Sequence, residues 1–181
     1  MKKQALLSAA LTVGMLGMTV TPAFAAGNGG NVNVDIQAKA TTVNVTVSDT
    51  AAFVFNEDGT NTTPSNFTVT NNSEIAGLHL VSANFTQVAD KGWTIEDQNY
   101  SFKTMAKDTK KVALQLGAEG KLKDVIKGTD GKTGKATFGA NDFQLPAKTS
   151  KTVKFGVKRG AFSQAVANET AFKMVMNYEF D

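Results

Sequence analysis

The stretch 171-AFKMVMNYEFD-181 decides the fold class of this chain. Large apolar residues occupy every second position in it, and this apolar row consists of Phe172, Met174, Met176, Tyr178 and Phe180. Successive side chains of a β-strand point to opposite faces, so strict alternation indicates a half-buried strand. We expect the apolar row to face the domain's own core, because in water it would form an aggregation-prone patch. The edge of the strand is then the part that a neighbouring subunit can meet.

The same two-residue period, or a short apolar run, recurs along the chain. These strand-like segments are 32–38, 43–48, 53–55, 67–73, 78–85, 93–95, 112–116 and 152–157. Turn-forming residues separate them, as in 56-NEDGTNTTPSN-66 and 90-DKG-92. The pattern predicts an all-β fold, a single antiparallel β-sandwich of immunoglobulin-like or jelly-roll-like type. The strand order that would distinguish the two types does not follow from the sequence.

Three segments are less strand-like. Residues 119–128 and 163–171 are expected to form at most one or two short helices, which are too short to change the fold class. The stretch 127–135 is rich in Gly and Lys, and we interpret it as an exposed loop.

The first 25 residues have the composition of an export signal. A basic start precedes an apolar run, and 23-AFA-25 matches the A-x-A cleavage signature. We therefore predict a signal peptide over 1–25, a flexible Gly/Asn leader over 26–31 and the β-sandwich domain over 32–181. The expected location is secreted, either extracellular or attached to the cell surface, with no membrane span in the mature form.

Charge and cysteine content exclude several function classes. The chain has 19 Lys and Arg against 16 Asp and Glu, and without Lys2 and Lys3 the balance is 17 against 16, a formal charge of +1. A nearly neutral chain with mixed signs lacks the clustered basic face typical of nucleic-acid binding. The absence of cysteine excludes thiol chemistry, so stability has to come from the core, from a partner or from both.

No residue pattern indicates an active site. His79 is the only histidine and no G-x-S-x-G sequence is present, so we expect a surface or edge-strand histidine and no Ser-His-Asp arrangement. Several loops carry acidic residues, namely Glu57, Asp58, Glu96, Asp97 and Asp130. Their oxygen atoms suit calcium, but their spacing does not match an EF-hand loop, and we interpret them as turn-forming residues. We predict no catalytic, cofactor-binding or metal-binding residue, and a protein that is not an enzyme.

Trp93, Tyr100 and Tyr178 are the candidate binding aromatics of the chain. On one exposed face they would form a recognition platform for glycan or peptide. Trp93 is the only tryptophan, and a core anchor between two sheets is the favoured interpretation for so large a ring. Burial of all three rings would remove the main support for a binding module.

The order of features resembles secreted β-sandwich proteins of Gram-positive cell surfaces. An export signal, an alternating N-terminal segment, FVFNEDGTNTTPSNFTVTNNS, GWTI and a closing MNYEF follow one another. This order is similar to the TasA/camelysin type of biofilm-matrix subunit, and the resemblance implies a jelly-roll domain that polymerises when an N-terminal strand enters the next subunit. The triplet Trp93-Thr94-Ile95 is also similar to the WxL type of cell-wall-binding domain, and the aromatic last strand resembles the end of chaperone-usher pilins.

Two functions agree with these observations. The first is a non-catalytic structural protein that assembles with copies of itself into fibres or a surface matrix. Its assembly strand is 32-VNVDIQA-38, whose apolar face consists of Val32, Val34, Ile36 and Ala38. The same segment fits equally well as a first strand of its own domain. The alternative function is a monomeric, surface-attached module that binds cell-wall glycan or a surface protein.

Overall fold

The computed structural model describes residues 44–56, 59–89, 91–166 and 169–181. Within these ranges the regular structure is β-strand apart from one turn of 3-10 helix at Phe102–Thr104, so the all-β expectation is confirmed. The strands in chain order are β1 (Val45–Val47), β2 (Val54–Phe55), β3 (Asn61–Thr62), β4 (Thr68–Asn71), β5 (Leu78–Gln87), β6 (Thr94–Ile95), β7 (Lys111–Ala118), β8 (Lys121–Asp124), β9 (Ile126–Lys127), β10 (Thr133–Thr137), β11 (Gln144–Leu145), β12 (Ser150–Thr152), β13 (Lys154–Arg159) and β14 (Phe172–Phe180).

The first layer of the sandwich runs from β1 to β6. β4 pairs antiparallel with β1 on one side and with β12 on the other. Val153 alone separates β12 from β13, and its N–H donates to the carbonyl oxygen of Phe67, so the layer continues into β13. β13 pairs antiparallel with β7, whose far side carries β8 antiparallel and the two-residue β6 parallel. β2 and β3 form a separate two-stranded ribbon.

The second layer is centred on β5, a strand of ten residues. β10 and β11 pair with successive parts of one side of β5, and β9 pairs with the far side of β10. β14 pairs antiparallel with the other side of β5 along its whole length, with a register shift at Asn177/Tyr178. Among the described strands, β14 is therefore the end strand of this layer.

The core lies between the layers and is built from the inward-facing positions of the strands. Its fully buried members include Leu78 and Leu80 of β5, Ile95 of β6, Leu116 of β7 and Phe143. Burial of such a side chain contributes roughly 1.5–3 kcal/mol. A domain of this size with a continuous core of this kind needs no disulfide for stability.

The layers are joined on the side that carries β6, β8, β9 and β10, which we call the closed side. The N–H of Ile95 donates to the carbonyl oxygen of Gly131 at 2.7 Å. Gly134 of β10 lies so close to the first layer that an added Cβ would be 2.7 Å from Cδ1 of Ile95 and 2.7 Å from Cγ1 of Val125. The missing side chain at Gly134 therefore allows the layers to meet here.

Gly134→Ala is expected to lower the free energy of unfolding by about 1–2 kcal/mol, because the new methyl group would displace two core side chains. Chemical denaturation of the variant and the wild type measures the difference. Gly139→Ala is the matched control, since its added Cβ would meet only Oδ2 of Asp142, at an ordinary 3.4 Å. Equal losses in the two variants would show that the layers are not tightly packed at Gly134.

The prediction of a short helix at 119–128 was wrong. β8 and β9 occupy most of this segment, and the N–H of Val125 between them donates to Leu114 of β7. The described part of 163–171 contains no helix either. The stretch 127–135, interpreted as a loop, includes the end of β9 and the start of β10. In these places pairing with a neighbouring strand overrides a weak local preference.

The predicted signal peptide, the leader and the segment 32–38 lie outside the described residues. Among the residues that are described, none belongs to a helix long and apolar enough to cross a membrane. The site described below lies within residues 45–181.

Candidate assembly edge

β14 turns one long side of its main chain away from the rest of the layer. The carbonyl oxygen of Ala171 accepts a hydrogen bond from Val88 at 2.9 Å, and the N–H of Asp181 donates to Gly77 at 3.1 Å. Hydrogen-bonding directions alternate along an antiparallel strand, so the odd-numbered residues of β14 face β5 and the even-numbered residues direct their N–H and C=O groups outward. No other described strand pairs with this outer side, which we call the free edge.

The side chains at the free edge are apolar and only half covered. Those that pack against the core form a row, called the rim row here, which consists of Phe172, Met174, Met176 and Tyr178. The expectation that Phe180 also faces the core was wrong, since its side chain is 39% exposed at the end of the strand. The neighbouring row on β5 is more deeply buried and includes Leu80, Ala83 and Phe85. Burial decreases toward the free edge because no further described strand covers the end of the layer. An added strand would complete this cover.

The free edge has few of the features that usually prevent edge-to-edge pairing. β14 has nine residues, contains neither proline nor glycine, and stays continuous because the extra residue at the register shift, Val81, lies on β5. The charged side chains of β14, Lys173 and Glu179, point to the opposite face from the rim row. Long, uninterrupted apolar edges of this kind tend to pair with further strands.

Side chains on the outer face of the second layer hold β14 in place. Nδ2 of Asn177 donates to Oγ of Ser82 at 3.0 Å. His79 lies between two carboxylates near the end of β14, with Nδ1 3.0 Å from Asp181 and Nε2 4.0 Å from Glu179. His79 belongs to the central strand β5, so the edge-strand alternative was wrong, and its side chain lies on the outer face of the layer with 13% of its area exposed. These contacts keep the free edge extended.

β1 lies on the same side of the sandwich as the free edge. The closed side holds one end of each layer, so the two other ends, β1 and β14, share the opposite side. Val45 and Val47 of β1 are half-buried against the core, as the rim row is. β1 has only three residues, so the longer exposed edge on this side belongs to β14.

Trp93 is buried in the core. Its side chain is 5% exposed, and the ring centroids of Phe55 and Phe162 lie 6.0 and 5.9 Å from its own. Nε1 donates to Oε1 of Glu169 at 2.7 Å, and the Lys110 ammonium group lies 5.9 Å from the ring centroid. Hydrogen bonds from Lys110 and Trp93 hold the pKa of Glu169 below its usual value. The indole is thus enclosed by its own domain.

The two tyrosines do not form an exposed aromatic face either. Tyr100 is half-buried, with its ring centroid 5.0 Å from that of Phe102 and 4.8 Å from Nζ of Lys111. Tyr178 belongs to the rim row, and burial raises the pKa of its hydroxyl, which donates to Sδ of Met176 at 3.5 Å. Since Trp93 is buried and Tyr178 faces the core, the structure does not bring the three rings together as a recognition platform.

Glu96 forms a buried ion-pair cluster between the layers. Its side chain is 7% exposed, with one oxygen 2.6 Å from Nζ of Lys111 in β7 and the other 2.7 Å from Nζ of Lys127 in β9. Burial raises the pKa of Glu96, but the hydrogen bonds and charges of the two lysines outweigh it, and the pKa lies below the usual 4.5. The carboxylate therefore links β7 of the first layer to β9 of the second layer on the closed side.

The remaining acidic candidates occupy turns. Asp130 accepts a hydrogen bond from the N–H of Lys132, and Asp97 accepts one from the N–H of Lys127. Glu57 and Asp58 lie outside the described residues. In the part of the chain that the structure describes, no group of three or more His, Asp or Glu side chains could hold a metal ion.

Comparisons with protein-family models, with curated proteins and with solved structures found no match. Sequence reasoning located the rim row but could not identify the residues that hold it, since His79 and Asp181 are 102 positions apart. Only the pairing of β14 with β5 brings them together.

Proposed function

We propose that the protein is a secreted, non-catalytic structural subunit of the bacterial cell surface or biofilm matrix that assembles into fibres by β-strand exchange. The observation that carries the proposal is the free edge, nine residues of strand with a half-covered apolar row and one side that no other described strand pairs with. In the proposed fibre, residues 32–38 of one copy add to the free edge of the next. Such an addition gives both partners main-chain hydrogen bonds and buries apolar side chains.

The lengths of the two apolar rows determine the centre of the proposed pairing. The donated segment has four apolar positions at alternating residues, and the rim row also has four. Full overlap places Asp35 opposite Val175, the middle residue in each case, whether the strands run parallel or antiparallel. Ala38 then lies opposite Tyr178 or Phe172, so a small side chain meets a large ring in both arrangements.

Burial of the donated row supplies the main driving force for this contact. A fully buried valine or isoleucine side chain contributes about 1.5–3 kcal/mol, and each main-chain hydrogen bond adds about 1 kcal/mol net. Association has an entropic cost of about 4–15 kcal/mol, so assembly depends on the whole row and not on one residue. A donor without this row is therefore expected to stay monomeric.

Removal of the donated segment tests the proposal. A form that starts at Ala26 and a form that starts at Lys39 are compared by size-exclusion chromatography with light scattering and by negative-stain microscopy. We expect fibres from the first form and a folded monomer from the second. A stable monomer from the first form, together with unfolding of the second, would show that the segment is an internal strand and would overturn the proposal.

Engineered cysteines locate the contact, because the chain contains no cysteine of its own. One copy carries Asp35→Cys and another carries Val175→Cys, at a side chain that is 60% exposed. The two positions form a non-hydrogen-bonded pair if the strands are antiparallel, with Cα atoms about 4.5 Å apart, which a disulfide can span. On mixing and mild oxidation we expect an intermolecular disulfide.

Val54→Cys is the matched control for Val175→Cys, since Val54 is 54% exposed and lies on β2. Equal crosslinking of the two would argue against the free edge as the acceptor. A second set of crosslinks determines the strand direction. Asn33→Cys in one copy should crosslink to Lys173→Cys in another if the strands are parallel, and to Asn177→Cys if they are antiparallel. A disulfide within one double variant, without any between single variants, would show that 32–38 pairs with its own domain.

A further inference from the structure

We propose that Met174 and Met176 are oxidation sites, and that their conversion to methionine sulfoxide by hydrogen peroxide closes the free edge to strand addition. This inference rests on the proposed function, because it assigns a chemical control to the same edge.

Both methionines lie in the middle of the rim row, where their side chains are half covered. Full overlap of the donated strand with the rim row places Val34 and Ile36 opposite them. The parallel arrangement pairs Val34 with Met174, and the antiparallel arrangement pairs it with Met176, so only the partners are exchanged. The two sulfur atoms therefore lie under the centre of the proposed contact in both cases.

Methionine is the oxidisable sulfur of this chain. It has no cysteine, so no thiol competes for the oxidant. The described residues include three methionines, and the third, Met105, also has a half-buried side chain. Its methyl group packs against Gly160, which directly follows β13. Met105 therefore serves as an internal reference outside the rim row.

The reaction transfers one oxygen atom to each sulfur. A lone pair of the thioether sulfur attacks one oxygen of the peroxide, the O–O bond breaks and an S–O bond forms. The second oxygen leaves as water after proton transfer, so sulfur is oxidised, peroxide is reduced, and no other reactant is needed. The product is a polar, chiral side chain. At Met176 the hydroxyl of Tyr178 already donates to the sulfur and is positioned next to the new oxygen.

A sulfoxide is compatible with a free edge but not with a covered one. On the free edge water can hydrogen-bond to the new oxygen, so the monomer is expected to keep its fold. Under a donated strand the new oxygen of Met174 would lie against Val34 or Ile36, and burying a polar atom among apolar side chains is unfavourable. At Met176 the Tyr178 hydroxyl can donate to the new oxygen and offset part of this cost, so Met174 is expected to contribute the larger share of the inhibition. Oxidation therefore opposes assembly, and assembly shields the sulfur atoms from the oxidant.

Peroxide treatment before and after assembly tests the inference. The form that starts at Ala26 is oxidised as a monomer, freed of peroxide and followed by light scattering, while mass spectrometry of its peptides measures the oxidation of each methionine. We expect oxidation of Met174 and Met176 and roughly a tenfold or larger slowing of fibre formation. In preformed fibres we expect these two residues to be protected and Met105 to react as it does in the monomer.

The double variant Met174→Leu/Met176→Leu keeps the apolar volume and removes both sulfur atoms. It should assemble as the wild type does and resist peroxide, whereas Met105→Leu should stay as sensitive as the wild type. Inhibition that persists in the double variant would overturn the inference, as would normal assembly of wild-type protein with both residues oxidised. Untreated wild type that forms no fibres would instead refute the proposed function, and the inference with it.

Discussion

Alanine in place of Trp93 is expected to lower the free energy of unfolding by about 3–5 kcal/mol, the usual cost of removing a large buried ring. Trp93 is 5% exposed and lies beside Phe55 and Phe162, so its removal leaves a cavity that those rings can fill only in part. Such a loss is a large fraction of the stability of a typical domain. Unfolding in urea followed by circular dichroism measures it, because the variant has no tryptophan left for fluorescence.

Two further variants test whether Trp93 acts as a core residue or as part of a binding surface. Trp93→Phe keeps an aromatic ring and loses the hydrogen bond to Glu169, so its stability loss should be clearly smaller. Tyr100→Ala removes a half-buried ring and should also cost less. Unchanged stability in Trp93→Ala would contradict the enclosed position of the indole and would return Trp93 to the candidates for a binding surface.

Glutamine in place of Glu96 is expected to lower the free energy of unfolding by about 2–3 kcal/mol at neutral pH. Breaking a buried ion pair by removing one partner usually costs about 3–5 kcal/mol. We expect a smaller loss because the side chains of Lys111 and Lys127 are 30% and 39% exposed, so water solvates the two charges left behind. Urea unfolding of the variant and the wild type measures the difference.

The same carboxylate predicts how stability depends on pH. The pKa of Glu96 lies below 4.5 in the folded state, so the unfolded state binds more protons in this range. The contribution of Glu96 is present above pH 4.5 and is lost as the pH falls through the lower, folded-state pKa. Wild-type protein should therefore lose stability more steeply than Glu96→Gln on acidification below that pH. If the stability of the two proteins fell equally with decreasing pH, the ion pairs of Glu96 with Lys111 and Lys127 would not stabilise the fold.

Glu119→Gln is the matched control for both measurements. Glu119 pairs with Lys154 at 3.2 Å, but its side chain is 84% exposed. Exposed ion pairs contribute little to stability because water and salt screen them. The control variant should therefore keep the wild-type unfolding curve at neutral pH.

The strand content of the protein could be predicted because it rests on a local pattern. Alternation in the sequence of β14 indicates which side chains share a face, and Phe172, Met174, Met176 and Tyr178 pack against the core as expected. Phe180 does not, because it lies at the end of the strand and is 39% exposed. The pattern fails at β10, whose TGKAT sequence has small or polar residues. Gly134 weakens the local strand preference there, and a side chain at this position would collide with Ile95.

The free edge could not be predicted in the same way. Whether a strand ends its layer depends on which other strands pair with it, and those contacts join distant parts of the chain. Asn177 and Ser82, which hold β14 on β5, are 95 residues apart. A two-residue period contains no information about such partners.

The sequence by itself determined the all-β class, the apolar face of β14 and the absence of thiol chemistry, because side-chain period and composition are local properties. Only the tertiary structure decided that β14 is an end strand, that Trp93 is enclosed by other rings, and that Glu96 lies between two lysines. Those features depend on strand order and on the packing of one layer against the other, and both arise from contacts between residues far apart in the chain.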